Sequence, residues 1–514
     1  MMRKKEYLTQ CTFRIINKAK GELPGVPLEQ IVNKVKKEQK EDIIQFLRTI
    51  HTQQEYAFIQ PVEKKEYYPL SSAQKRLLFL QQYEHNSTFY NLPYVITWRE
   101  EISSGKLEGT FRRLISRYES LRTSFHMINN QPVQKIHRQV DFKIEYYRPG
   151  PMPYADIIQR FIRPFHLDQA PLLRVGVINT QEGNAIFMLD MHHIIADGIS
   201  QELLKRDFFL IYIGKKLPAL SLQYKDYVQW QNSESQQKIM KSQQSYWLKQ
   251  FEGEIPLLNL PIDYKRSDKP AGQGKRLGFR IEKELVGRIK QLMSETHTTL
   301  YIILLAVYNI LLSIYTRQQD IIIGSPVAGR RDERLGNIVG MFVNMLPMRN
   351  QPQPTKSFRE FLNVVKTNSL NAFENQDYPF DELVEILGIP RDLNRQPLVE
   401  TVFTLQNTSR PIDPESPQPP KKNYDIKPYP FESNAAMFDL TLDALEEESI
   451  LMWWSYAAEL FKTSTIEKLK KHYIEILEQV LEKIDIKLKD IKISHQLVTA
   501  ESNPLQTEQG DFGF

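Results

Sequence analysis

The chain has 514 residues, 41% hydrophobic and 25% charged, an ordinary globular composition. Its 67 basic and 62 acidic residues leave a net charge of +5, too even a balance for a nucleic-acid binder. The single cysteine, Cys11, excludes an intrachain disulfide and suits a reducing, cytoplasmic setting, and no apolar signal core follows the basic first residues.

Residues 1–62 read as polar and helical, with Pro27 early in one helix and 42–47 in another. They carry too few large apolar residues for a core of their own. Residues 71–83 have helical spacing, 92–98 read as a strand, 107–118 as an amphipathic helix, and 142–146 have period two. Two apolar strands, 172–178 and 185–191, flank Thr180-Gln181-Glu182-Gly183-Asn184, a five-residue hairpin loop with glycine. A helix follows over 199–213. Proline and charge increase between 256 and 274, the best place for a boundary between lobes. A second cycle then runs through strand 277–281, helix 284–295, helix 300–315, strand 320–324 and helix 358–370. Strands 399–406, 438–444 and 451–456 and a long amphipathic helix at 466–484 complete it.

The run 298–315 imitates a membrane span. Thr298, Asn309 and Ser313 dilute it, and strand-like sequence follows at once, so a helix buried on all sides is expected, with no membrane partner. The proline-rich stretch 411–423 reads as a surface loop. The coarse result is a mixed α/β (α+β) chain: a leader at 1–62, two halves of similar size at 63–255 and 256–490, and a polar tail at 491–514.

The chemistry is concentrated where one apolar strand ends, in His192-His193-Ile194-Ile195-Ala196-Asp197-Gly198. Side chains alternate along a strand, so His192 and His193 face opposite ways. Asp197 or Ser200 can cap the helix that follows, and Gly198 can supply a tight turn. These residues alone leave three readings open. They form a structural histidine pair, a metal pair lacking a nearby third ligand, or a catalytic imidazole poised near neutral pH.

The segment HHIIADG resembles the HHxxxDG signature of condensation domains of nonribosomal peptide synthetases, and the family's other motifs follow in order. Residues 71–77 (SSAQKRL) resemble SxAQxR, and 117–125 (RYESLRTSF) resemble RHExLRTxF. Residues 224–230 (YKDYVQW) resemble YxDYAxW, and 339–344 (VGMFVN) resemble IGxFVNT. Residues 375–381 (NQDYPFD) resemble HQDxPFE, and 391–398 (RDLNRQPL) resemble RDxSRxPL. The departures are Tyr118 for His in the second motif, Met345 for Thr in the fifth and Asn375 for His in the sixth. Tyr118 is expected to alter packing or a hydrogen bond, not the chemistry.

The resemblance implies two chloramphenicol-acetyltransferase-like lobes forming a V, with the site in a central tunnel. It implies amide formation between a donor acyl or peptidyl thioester and the amine of an acceptor aminoacyl thioester. The chain itself would bind no cofactor or metal; the phosphopantetheine arms belong to donor and acceptor peptidyl carrier proteins. An adenylation domain of a neighbouring module would activate the amino acid, and a monomer is expected. Among site residues, His193 would face the tunnel as base or positioning group. His192 and Asp197 would be structural, with Arg276 of the second half pairing with Asp197. Gly198 would allow close approach to the reacting group, and Asn344 would support the site across the lobe interface. The segment 68–74 is similar to domains that join an L-donor to an L-acceptor. Residues 16–31 resemble the second half of a peptidyl carrier whose loaded serine would fall near Lys5, so the leader reads as a truncated remnant. Two rival functions stand beside this one: a carrier-docking module without catalysis, and a free-standing acyltransferase using coenzyme A.

Overall fold

The structure, a computed structural model, describes residues 59–83, 87–99, 103–148, 150–181, 183–266, 274–389, 395–406, 426–429 and 436–494. The carrier-like leader up to residue 58, the proline-rich loop at 411–423 and the tail from 495 lie outside them, as do residues 391–394 of the last motif. The described residues of both lobes, 59–233 and 237–494, belong to one compact unit.

The first lobe begins with β1 (Tyr68–Pro69), α1 (Ser72–Tyr83), β2 (Tyr94–Trp98) and α2 (Ser104–Arg117). It continues with the hairpin β3 (Thr123–Ile128) and β4 (Gln131–Ile136), then β5 (Glu145–Tyr147) and α3 (Tyr154–Phe161). Next come the hairpin β6 (Leu173–Asn179) and β7 (Ala185–Met191), α4 (Gly198–Tyr212), α5 (Tyr224–Gln231) and α6 (Glu234–Gln250). The second lobe holds β8 (Gly274–Ile281), α7 (Lys283–Thr296), α8 (Leu300–Thr316), β9 (Ile321–Val327), β10 (Asn344–Asn350), α9 (Phe358–Glu374) and α10 (Phe380–Ile386). It ends with β11 (Thr401–Gln406), β12 (Ile426–Pro428), β13 (Leu440–Glu446), β14 (Ile450–Ala457) and α11 (Thr463–Glu482).

The apolar run of β7 is buried on both faces because helices lie on both sides of its sheet. On one side α2 and α4 bring Phe111 and Phe208 against Phe187; on the other α3 brings Ile157, Ile158 and Phe161 against Ile186 and Met188. Gly176 permits this second approach, since a Cβ there would stand 2.6 Å from Met188 and 2.9 Å from Phe161. The sheet order is β12-β2-β7-β6-β5. Its edge strand β12 comes from the second half of the sequence and pairs antiparallel with β2. Three residues long, it carries too little pattern to be read in advance.

The second sheet has the order β10-β9-β11-β13-β14-β8, with β11 parallel to β9 and β13. Its core takes in nearly the whole of α8, including Asn309, as expected of a helix apolar all round. No single described helix is long and apolar enough to cross a membrane; α7 and α8 together pass that test but bend by 104° at their break. Met240, Trp247 and Phe251 also belong to this core, so it begins before the boundary expected at 255/256. Two elements absent from the sequence reading had local signals. The β3–β4 hairpin turns at Asn129-Asn130, both at positive φ (49° and 61°), a pair suited to a two-residue turn. In α5, Gln223 and Asp226 form a capping box.

Candidate active site

The histidine pair is delivered by β7 and fixed by the residues around it. The backbone N–H of His192 donates to Leu172 O (3.1 Å) and that of His193 to Tyr90 O (2.8 Å). The chain then tightens into a single 3₁₀ turn, His193–Ile195. His192 Nδ1 accepts from Ile194 N–H at 3.1 Å, which places the ring proton on Nε2. That ring is 1% exposed and lies against Phe165 (edge-on, 6.2 Å) and Tyr90 (6.4 Å). Burial drives its pKa down to about 3, and His193 and Arg174 push the same way. His192 is therefore a neutral packing residue at physiological pH.

His193 is half-buried, and its Nδ1 is buried without a hydrogen-bond partner among the described residues. Burial lowers its pKa below the ordinary histidine value; backbone groups of His193 and Ala196 and the Asp197 carboxylate partly offset this. Arg76 adds to the lowering. A half-buried, neutral imidazole results, which can accept or orient a proton. The turn is backed by α1, where Gln74 Nε2 reaches Ile194 O at 3.4 Å.

Asp197 connects the two lobes. Its Oδ1 caps α4 by accepting from Ser200 N–H at 2.7 Å. The same carboxylate accepts from Arg330 Nη2 at 2.9 and 3.1 Å and from Phe342 N–H at 3.1 Å. Arg276, the expected partner, is elsewhere: it lies on β8 with its guanidinium over the Trp453 ring at 4.1 Å, and the charge that acts on it is Asp443. Arg330 takes that place because the loop 328–343 reaches into the first lobe. Three more first-lobe groups grip this loop: Ser120 Oγ donates to Val339 O (2.6 Å), Arg206 Nη2 to Asn337 Oδ1 (3.1 Å), and Ser200 Oγ to Gly340 O (2.9 Å). At Gly340 a Cβ would stand 2.0 Å from the Tyr224 ring, so this close approach requires glycine.

Two further expectations change. All side-chain partners of Asn344 are in the second lobe: Gln376 O (2.9 Å), Tyr378 O (2.7 Å) and Phe380 N–H (3.0 Å). Its support across the interface is indirect, through the segment leading into α10, which meets α1 by Arg76–Asp381 (3.0 Å) and Ser72–Glu382 (3.0 Å). Gly198 opens α4 and is exposed, with no positive φ and open space where a Cβ would point. It serves no tight turn, and what it leaves is room. Tyr118 donates to Asp207 Oδ2 at 2.6 Å, within a cluster completed by Arg117 and Arg206, the hydrogen-bond role expected of that departure. Arg330 was not anticipated, nor were the roles of Ser200, Ser120 and Tyr224 between the lobes. The available signal was Gly329-Arg330 in the loop before the 339–344 motif, closer to the interface than Arg276.

The site is thus a histidine pair at a strand end on a two-lobed α/β scaffold, with an aspartate that ties the lobes together. The condensation-domain family profile matches residues 64–501. Gramicidin S synthase 2 of Brevibacillus brevis is 44% identical over 441 residues, covering 85% of this chain and 10% of that protein. Tyrocidine synthase 3 of Brevibacillus parabrevis is 45% identical over 438 residues, covering 85% and 7%. The chain thus spans a tenth or less of the length of these curated relatives. Among solved structures, the X-domain in complex with OxyB from teicoplanin biosynthesis superposes with a TM-score of 0.75 at 22% identity, over 85% of this chain and 98% of that one; this likeness shows the fold. The chain belongs to the condensation-domain family. Condensation domains of nonribosomal peptide synthetases form amide bonds by acyl transfer.

Proposed function

We propose that this chain joins a donor acyl or peptidyl thioester to the amine of an acceptor aminoacyl thioester, both held on phosphopantetheine arms of carrier proteins. The observation that carries this reading is His193, half-buried and kept neutral beside the junction that Asp197 and Arg330 lock.

The amine nitrogen forms a C–N bond to the donor carbonyl, and the carbonyl–sulfur bond breaks. The lengthened chain remains on the acceptor arm, and the donor arm leaves as a thiol. The amine must lose a proton on the way. His193 accepts or orients that proton, worth about 10²–10⁴-fold as a base, with placement of the two reactants supplying more. His192 and Asp197 hold the turn, and Gly198 leaves space beside it. Donor and acceptor carriers and a neighbouring adenylation domain are the proposed partners. The segment 68–74 favours an L-donor and an L-acceptor.

The test is a single-turnover reaction with purified donor and acceptor carriers loaded with aminoacyl groups. Dipeptidyl thioester on the acceptor carrier is the expected product. Turnover with coenzyme A thioesters and no carrier would instead make this a free-standing acyltransferase. Carrier binding without product would make it a docking module.

A further inference from the structure

The strand that delivers the histidines carries a carboxylate that the proposed chemistry does not use. Asp190 lies two residues before His192, on the same face of β7 by strand alternation, and its side chain is 0% exposed. Oδ2 accepts from Asn91 Nδ2 at 2.7 Å and from Arg174 Nη1 at 3.4 Å. Oδ1 is buried with no partner among the described residues. A buried carboxylate with an orphaned oxygen is unfavourable, and an apolar residue would be easier to place there.

What this carboxylate does is visible in the segment it holds. Asn91 forms an antiparallel bridge with His192, and Leu92 N–H donates to Met191 O at 2.7 Å. Tyr90 O receives the His193 N–H. Residues 90–92 therefore grip the backbone of both histidines, and the Asn91 side chain ties them to Asp190 and to Arg163 O (3.1 Å). Arg174 fixes residues 161–165 from the other side. It donates to Phe161 O (3.3 Å) and Pro164 O (3.1 Å) and stacks on Phe165 at 3.6 Å, whose ring meets His192. Asp190 is the carboxyl group at which these two segments and β6 converge.

We infer that Asp190 is a positioning residue for His193, acting through Asn91 and Arg174 without touching substrate. This rests on His193 being the reacting imidazole.

The test uses the full chain with both carriers loaded. In Asp190→Ala, turnover falls about 10²-fold, the effect of a small misplacement at a reacting centre. The acid limb of the kcat/KM profile moves up toward the ordinary histidine value as the loosened turn admits water to the ring. Asp190→Asn keeps an acceptor for Asn91 and recovers most of the lost turnover. Loss of folded protein scales the rate but leaves the limb in place, so the limb separates positioning from stability. Should Asp190→Ala fail to fold, Asn91→Ala removes the same bond, keeps the carboxylate and is read the same way. An unmoved limb, or Asp190→Asn as slow as Asp190→Ala, overturns the inference. His193→Ala at wild-type turnover overturns the reading of the site instead.

Discussion

Removing Asp197 would expose how much of the fold depends on one carboxylate. Its side chain is 0% exposed and that of Arg330 5% exposed, so neither charge has water to fall back on. Asp197→Ala strands the guanidinium, at about 3–5 kcal/mol for a buried pair broken from one side. It also removes the cap of α4, about 1 kcal/mol, and leaves Phe342 N–H unsatisfied, about 1–3 kcal/mol. The sum is comparable with the whole stability of many domains, roughly 5–15 kcal/mol. Arg330→Met keeps a stem against Phe342, over which the guanidinium now lies at 4.0 Å. It still costs about 3 kcal/mol by leaving the carboxylate with two backbone donors. The double variant strands neither charge, so its loss should fall short of the summed single losses by at least about 2 kcal/mol. Urea unfolding of the four proteins followed by circular dichroism measures this directly. A coupling below about 0.5 kcal/mol, the range of independent sites, would refute the assignment of Arg330 as the partner of Asp197.

Arg276→Ala, by contrast, should change stability by no more than about 1 kcal/mol, the scale of one exposed cation–π contact, and show no coupling to Asp197 in the same assay. Gly340→Ala drives a methyl into the Tyr224 ring, which Ser71 and Met341 O hold by its hydroxyl; a loss of about 1–3 kcal/mol is expected by thermal unfolding. The pH dependence of stability has two opposed sources. His192, depressed to about 3, contributes stability that is complete above about 6.5 and declines as pH falls toward 3. Asp190, raised to about 7 by burial, contributes stability that is complete below its ordinary carboxylate range and declines as pH rises through 7. Asp190→Asn removes the second and leaves the first, so between pH 6.5 and 5 the variant should lose about 2 kcal/mol more than wild type. An identical pH slope in the two proteins would contradict these environments.

The elements with strong periodicity were legible from the sequence because local pattern and tertiary burial agree there. The β6–β7 hairpin, the buried α8 and the amphipathic α11 are examples. β12 was not legible, because its three residues form a strand only when a distant edge is offered to them. The site divides the same way. His192, His193 and Asp197 are neighbours in sequence, and their geometry follows from one strand end and one helix cap. The partner of Asp197 lies 133 residues away, and the one signal that favours Arg330 over Arg276 is its place in the loop before the 339–344 motif. Asn344 was expected to act across the interface, but its amide partners, the turn at 376–380, lie in its own lobe and are set by how that turn packs.

The role of His193 in amide formation is tested most directly by His193→Ala with both carriers loaded. Product on the acceptor carrier should form at least about 10²-fold more slowly, with the unfolding midpoint close to wild type, since His193 Nδ1 has no hydrogen-bond partner among the described residues. Dipeptide formation at the wild-type rate by the folded variant would contradict it.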